Sequence, residues 1–167
     1  MTVYPLAPLA RVRTLREEAA AAEYSAREKA FLAARQETLA RRKALEDYLI
    51  WRKEEEDRRY REILGQELSR KEMDEFKAGV TALRERDNVL MEAVEEARKA
   101  EEEAAKLKDE ATKSLKQRRK DKEKIDAHWE IWRTGEAREA ERREDLEMEE
   151  FSAAKSPEEE NEGDGND

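Results

Sequence analysis

The second half of the chain carries the clearest alternation of apolar and polar positions. Steps of four and three residues from Met73 select Phe76, Val80, Leu83, Asp87, Leu90, Val94, Ala97, Glu101, Ala104, Lys108, Ala111, Leu115, Arg118, Lys122, Ile125, Trp129 and Trp132, and thirteen of these eighteen positions, Met73 included, are apolar. A repeat of 3.5 residues predicts a helix with a narrow apolar seam, and such a seam needs a second helix to cover it. Asp87, Glu101, Lys108, Arg118 and Lys122 interrupt it, so marginal stability is expected of the chain alone.

The first half is less regular. Leu9, Val12, Leu15, Ala19, Ala22, Ala26, Ala30 and Ala33, then Leu39, Leu45, Leu49 and Ile63, read as an alanine-rich stripe that buries little area. Arg52 to Glu62 is nearly all charge and reads as a solvated helix held by Glu-to-Arg pairs four apart.

Breakers place the ends of these helices. Pro5 and Pro8 suit a first helical turn. No Gly or Pro then occurs from Leu9 to Leu64, which allows one helix of about 56 residues, roughly 84 Å long. Gly65 suits a left-handed stop. Ser69, Arg70, Lys71 and Glu72 spell a capping box, with Leu68 and Met73 at the staple positions. The alternative is one continuous helix that tolerates a glycine. The stop followed by a capped start favours a reversal, and the expected fold class is all-α: a long antiparallel two-helix coiled-coil hairpin over residues 1–155. Its helices are expected at about 8–64 and 70–154, with a turn at 65–69. Residues 156–167 hold six acids, no base and no apolar side chain, and are expected to form a disordered acidic tail.

A turn near residue 67 sets Leu9 opposite Ile125. It carries His128, Trp129, Ile131 and Trp132 past the paired region or against Thr2 to Leu6. Gly135 is expected to loosen the helix, which resumes from Arg138 to Ala154.

Composition agrees. Charged residues make up 47% of the 167 and Gly and Pro number five and three, a usage that suits long helices. No stretch approaches the roughly 20 apolar residues that span a bilayer, so direct membrane insertion is not expected. The start lacks a secretory signal, which points to the cytoplasm. With no cysteine and one histidine, thiolate metal sites and a cysteine nucleophile are excluded. No phosphate loop, HExxH or nucleophile elbow occurs. The chain is therefore expected to be no enzyme, with no catalytic, cofactor or metal site.

The net charge of -9 argues against nucleic acid as partner. It is unevenly spread, since no acid occurs among the first sixteen residues. The expected register brings Arg11, Arg13 and Arg16 near Arg118, Arg119, Lys120, Lys122 and Lys124. A strongly positive end suits an acidic protein surface. Trp129 and Trp132, with Tyr4, Leu6 and Leu9 opposite, either close the open end as core or anchor a partner. The residues leave both readings open.

The order of these features resembles the central stalk protein of type III secretion systems, the SctO/YscO family, relatives of flagellar FliJ. Tyr4-Pro5-Leu6, Pro8-Leu9, the VRTLRE stretch of residues 12–17, a long charged hairpin, and the Lys124, His128, Trp132 spacing carry the resemblance, over roughly residues 3 to 150. It implies an antiparallel coiled coil, similar in shape to the rotor stalk of a rotary ATPase. The end bearing the chain termini inserts into a hexameric export ATPase, and the other projects toward the membrane export gate. Secretion chaperones are further partners. Carried onto this chain, Tyr4, Leu6, Arg11, Arg13, Arg16, Arg118, Arg119, Lys122, Trp129 and Trp132 are the expected ATPase contacts. Tyr48, Trp51, Tyr60 and Phe76 at the hairpin tip are the expected gate or chaperone contacts. The resemblance further implies a cytoplasmic location at the inner face of the bacterial inner membrane. The isolated chain is expected to be a monomer. The competing functional readings are a coiled-coil tether and a general cytosolic chaperone, neither with an ATPase partner.

Overall fold

Helix α1 spans Ala7–Ile63 and helix α2 spans Arg70–Lys155 in the computed structural model, which describes residues 2–155. The two pack as an antiparallel hairpin, and no strand occurs among the described residues. The tail expected at 156–167 lies outside the described residues.

The reversal is built from the breakers. Gly65 has φ 78°, the left-handed region that costs an L side chain about 1–2 kcal/mol, and the Gln66 amide donates to the Ile63 carbonyl at 3.1 Å. The capping box then forms both of its bonds. The Ser69 amide donates to Glu72 Oε2 at 2.8 Å, and the Glu72 amide donates to Ser69 Oγ at 3.3 Å. Bonding to the Ser69 hydroxyl and amide holds the Glu72 carboxyl below its ordinary range. A cap of this kind stabilises a helix start by about 1 kcal/mol.

The described chain divides into two compact units, one of residues 2–18 with 117–155, the other of Ala19–Lys116. In the second unit the α2 seam lies where the repeat puts it, with Val80, Ala111 and Leu115 buried. Of the eighteen seam positions from Met73 to Trp132, across both units, all but Trp129 are buried or half-buried.

Helix α1 faces its partner differently from the stripe read off the sequence. Leu9, Val12, Leu15, Ala19, Ala22, Ala26, Ala30, Ala33, Leu39 and Leu49 are exposed. The covered positions include Thr14, Tyr24, Phe31, Ala34, Thr38, Leu45, Tyr48, Arg52, Glu56 and Ile63. Apolar residues surround α1 on all sides, so periodicity selects no face. Packing selects the one with the large rings of Tyr24, Phe31 and Tyr48, because they remove more area from water than alanines do. On that face buried Thr38 donates to the Ala34 carbonyl at 3.1 Å, and from α2 the Lys108 ammonium lies 4.9 Å over the Phe31 ring.

The charged span at 52–62 is partly a buried layer. Glu55 pairs with Arg59 at the expected spacing of four, and also with Arg58 three residues on, while Arg58 reaches forward to Glu62. Glu56, however, is 9% exposed and lies between helices. It accepts from Arg52 at 2.7 Å and from Nε and Nη2 of Arg84 on α2, each at 3.1 Å. Arg52 Nε and Asp87 Oδ1 lie 3.0 Å apart without hydrogen-bond alignment. The seam charge at Asp87 is thus balanced across the hairpin, and Arg84 and Arg52 hold the Glu56 carboxyl below its ordinary range against the effect of burial.

Gly135 leaves α2 unbroken. A single glycine costs about 1 kcal/mol in a helix interior, too little to stop an 86-residue element.

Candidate functional site

The unit containing the N-terminal segment brings together most residues that the sequence singles out. Pro5 and Pro8 need no amide partner at a helix start, and the Ala7 and Ala10 amides donate to the Tyr4 and Leu6 carbonyls at 3.1 and 2.9 Å. That turn aims Tyr4 at α2. Tyr4 is 7% exposed, its hydroxyl lies 2.8 Å from His128 Nδ1, and its ring lies 5.2 Å from that of Trp132. The Thr2 hydroxyl donates to Glu136. Ile125, 4% exposed, closes the packing.

This arrangement separates the two tryptophans. Trp132 is half-buried against Tyr4 and belongs to the internal cluster. Trp129 points outward, 37% exposed, with the Arg133 guanidinium 4.9 Å over its ring. Leu6 is half-buried.

The basic residues divide as well. Arg13 donates to the Asp121 carbonyl at 2.6 Å, which ties α1 to α2. Glu17 is the neighbour that charge counting overlooked: its carboxylate lies 3.5 Å from Arg119 and 3.9 Å from Lys122 and offsets part of their charge. Arg11, Arg16 and Arg118 make no ion pair or hydrogen bond among the described residues. Leu9, Arg13, Arg16, Arg118 and Asp121 line one cleft, and Val3, Tyr4, Pro5, Ala7, Pro8 and Arg11 line an apolar hollow. Guanidinium groups with free donors beside apolar surface can take a carboxylate while apolar side chains seat against the hollow.

The other unit holds the tip residues, largely in its own packing. The Tyr48 hydroxyl donates to the Leu83 carbonyl at 2.8 Å, and Tyr60 and Phe76 meet edge to face at 5.0 Å. Trp51 lies against Tyr48 at 5.5 Å and is 47% exposed, as is Tyr60. Trp51 and Tyr60 therefore offer outward ring surface, whereas Tyr48 and Phe76 are half-buried.

No helix among the described residues is long and apolar enough to cross a membrane. None of them form a group of three or more His, Asp or Glu placed to hold a metal ion.

Comparison with known proteins gives a consistent family. The family model of the type III secretion protein YscO matches residues 6–154. The crystal structure of the type III secretion protein YscO from Vibrio parahaemolyticus matches with a TM-score of 0.75 at 26% identity, covering 86% of this chain and 91% of that one. A YscO homolog from Chlamydia trachomatis has a TM-score of 0.73 at 21% identity, covering 92% and 94%, a likeness of fold. No curated protein matches.

Proposed function

We propose a stalk role that proceeds from one premise: the chain belongs to the family of the type III secretion protein YscO. In this reading it is the central stalk of the export apparatus. It enters the ring of the hexameric export ATPase by the end that holds Tyr4, Leu6, Arg11, Arg13, Arg16, Arg118, Arg119, Lys122, Trp129 and Trp132, and it meets the export gate and secretion chaperones through Trp51, Tyr60 and their neighbours. Its place is the cytoplasmic face of the inner membrane.

The observation that supports the ring contact is the set of guanidinium groups that pair with nothing among the described residues: Arg11 at the Tyr4 hollow, and Arg16 and Arg118 in the cleft with Leu9. Their complement is an acidic protein surface. A two-helix element in a sixfold ring cannot touch six subunits alike. It therefore favours nucleotide closure in some subunits over others, and only such differential contact shifts an equilibrium.

Hydrolysis by the cognate ATPase, with and without the full chain, tests the reading. Faster turnover or promoted hexamer formation is the expected result. No change in either removes the stalk role and favours a tether or a general chaperone.

A further inference from the structure

In the unit of residues 19–116, every ion pair between the two helices among the described residues lies in one band: Arg52 with Asp87, and Glu56 with Arg84. Arg52, Glu56 and Asp87 are largely covered, and Arg84 reaches in from the exposed rim. The band is poorly made as a stabilising contact. Arg52 Nε and Asp87 Oδ1 are buried without a hydrogen-bond partner, and a covered ion pair often offsets its desolvation no better than apolar side chains of similar volume.

Its effect lies in the alignments it excludes. A seam that repeats every seven residues matches its partner almost as well after a slide of one heptad. Starting from the observed contacts, such a slide sets Tyr48 opposite Phe76 or Leu90 in place of Leu83, apolar each time. The bond from Tyr48 to the Leu83 carbonyl discriminates no better, because every residue offers a carbonyl. The charges do discriminate. One slide sets Arg52 against Val80 and Asp87 against Leu45; the other sets Arg52 against Val94 and Glu56 against Met91. The pair of Arg52 with Glu56 lies within α1 and survives both, yet each slide strands one covered carboxylate against an apolar side chain. Rewinding the helix ends at the reversal costs a cap, which is less than a charge left without its partner in a covered site.

We infer that the band of Arg52, Glu56, Arg84 and Asp87 is a register clamp: it gives up stability to make the observed alignment of α1 on α2 the single one. The inference holds whatever the chain binds, so it stands apart from the ring reading.

The chain has no cysteine, so spin labels on Glu46→Cys and Lys113→Cys, both exposed and staggered along the hairpin, report the alignment. Mixing with excess unlabelled chain keeps the measured distance intramolecular. A slide of one heptad moves one label past the other by about 10 Å along the axis. The otherwise native chain is expected to give one narrow distance. The apolar variant Arg52→Leu, Glu56→Leu, Arg84→Leu, Asp87→Leu is expected to unfold at the same or a higher denaturant concentration and to add a second population displaced by about 10 Å. Glu56→Gln with Asp87→Asn, which keeps side-chain volume, is expected to add it too. Lys108→Leu removes a seam charge outside the band and is expected to leave one distance. The proposal is overturned if either band variant keeps the single native distance, or if Lys108→Leu broadens it as they do. Unfolding of the apolar variant at a clearly lower denaturant concentration also overturns it, because the band would then be a stabilising contact.

Discussion

The Tyr4 hydroxyl and His128 Nδ1 lie 2.8 Å apart across 124 residues of sequence. This bond and the Trp132 ring hold the segment before α1 against α2. Tyr4→Phe keeps the ring and removes the hydroxyl. A loss of about 1 kcal/mol is expected, with faster hydrogen exchange confined to the first turn of α1 and its neighbours on α2. Unchanged exchange there would show that the ring contact alone retains the segment.

The buried carboxylate at Glu56 links Arg52 and Arg84 across the hairpin. Glu56→Ala leaves Arg52, itself largely covered, without its hydrogen-bonded partner. We expect a loss of about 1–3 kcal/mol in chemical denaturation, against less than about 0.5 kcal/mol for Glu37→Ala, whose pair with Arg41 is solvated.

Acid should weaken this layer in a defined window. Arg58 and Arg59 lower the Glu55 carboxyl from an ordinary 4.5 to about 2, and Arg84 and Arg52 lower Glu56. A carboxyl lowered in the folded state contributes stability above its unfolded value, and the contribution fades as pH falls through the folded one. Melting of the native chain is therefore expected to fall more steeply between about pH 4.5 and 2 than that of the double variant Glu55→Gln, Glu56→Gln. Parallel curves would remove these carboxylates as the cause.

Two glycines should respond in opposite directions. Gly65→Ala forces an L side chain to φ 78° and is expected to cost about 1–2 kcal/mol. Gly135 sits inside α2 with open space where a Cβ would go. Gly135→Ala should stabilise the surrounding helix by about 0.5–1 kcal/mol, seen as slower exchange near residue 135.

The proposed ring contact predicts a charge effect without a folding effect. Reversing Arg11 and Arg16, which pair with nothing among the described residues, should lower affinity for the export ATPase at least tenfold and flatten its salt dependence. The melting temperature should hold. Equal binding by the variant would remove both residues from the contact.

What the sequence determined by itself is local. The left-handed stop at Gly65 and the box at Ser69 and Glu72 are short-range stereochemistry, and each needs only its neighbours. The α2 seam was equally legible because one face of that helix concentrates its large apolar residues. The resemblance to the YscO family was readable from the spacing of Tyr4, Pro5, Leu6, Lys124, His128 and Trp132. What tertiary structure decided is which face of α1 meets α2. Apolar side chains surround that helix, so no period chooses among them, and the choice falls to the rings of Tyr24, Phe31 and Tyr48 with their partners. The burial of Glu56 is a second such case: its charge is acceptable inside only because Arg84, 28 residues away, arrives from the other helix. Trp129 and Trp132 show the same limit, since one faces solvent and the other Tyr4. Residues three apart on a helix share one broad face, about 60° apart around the axis, and only the partner's position tells which of the two is covered.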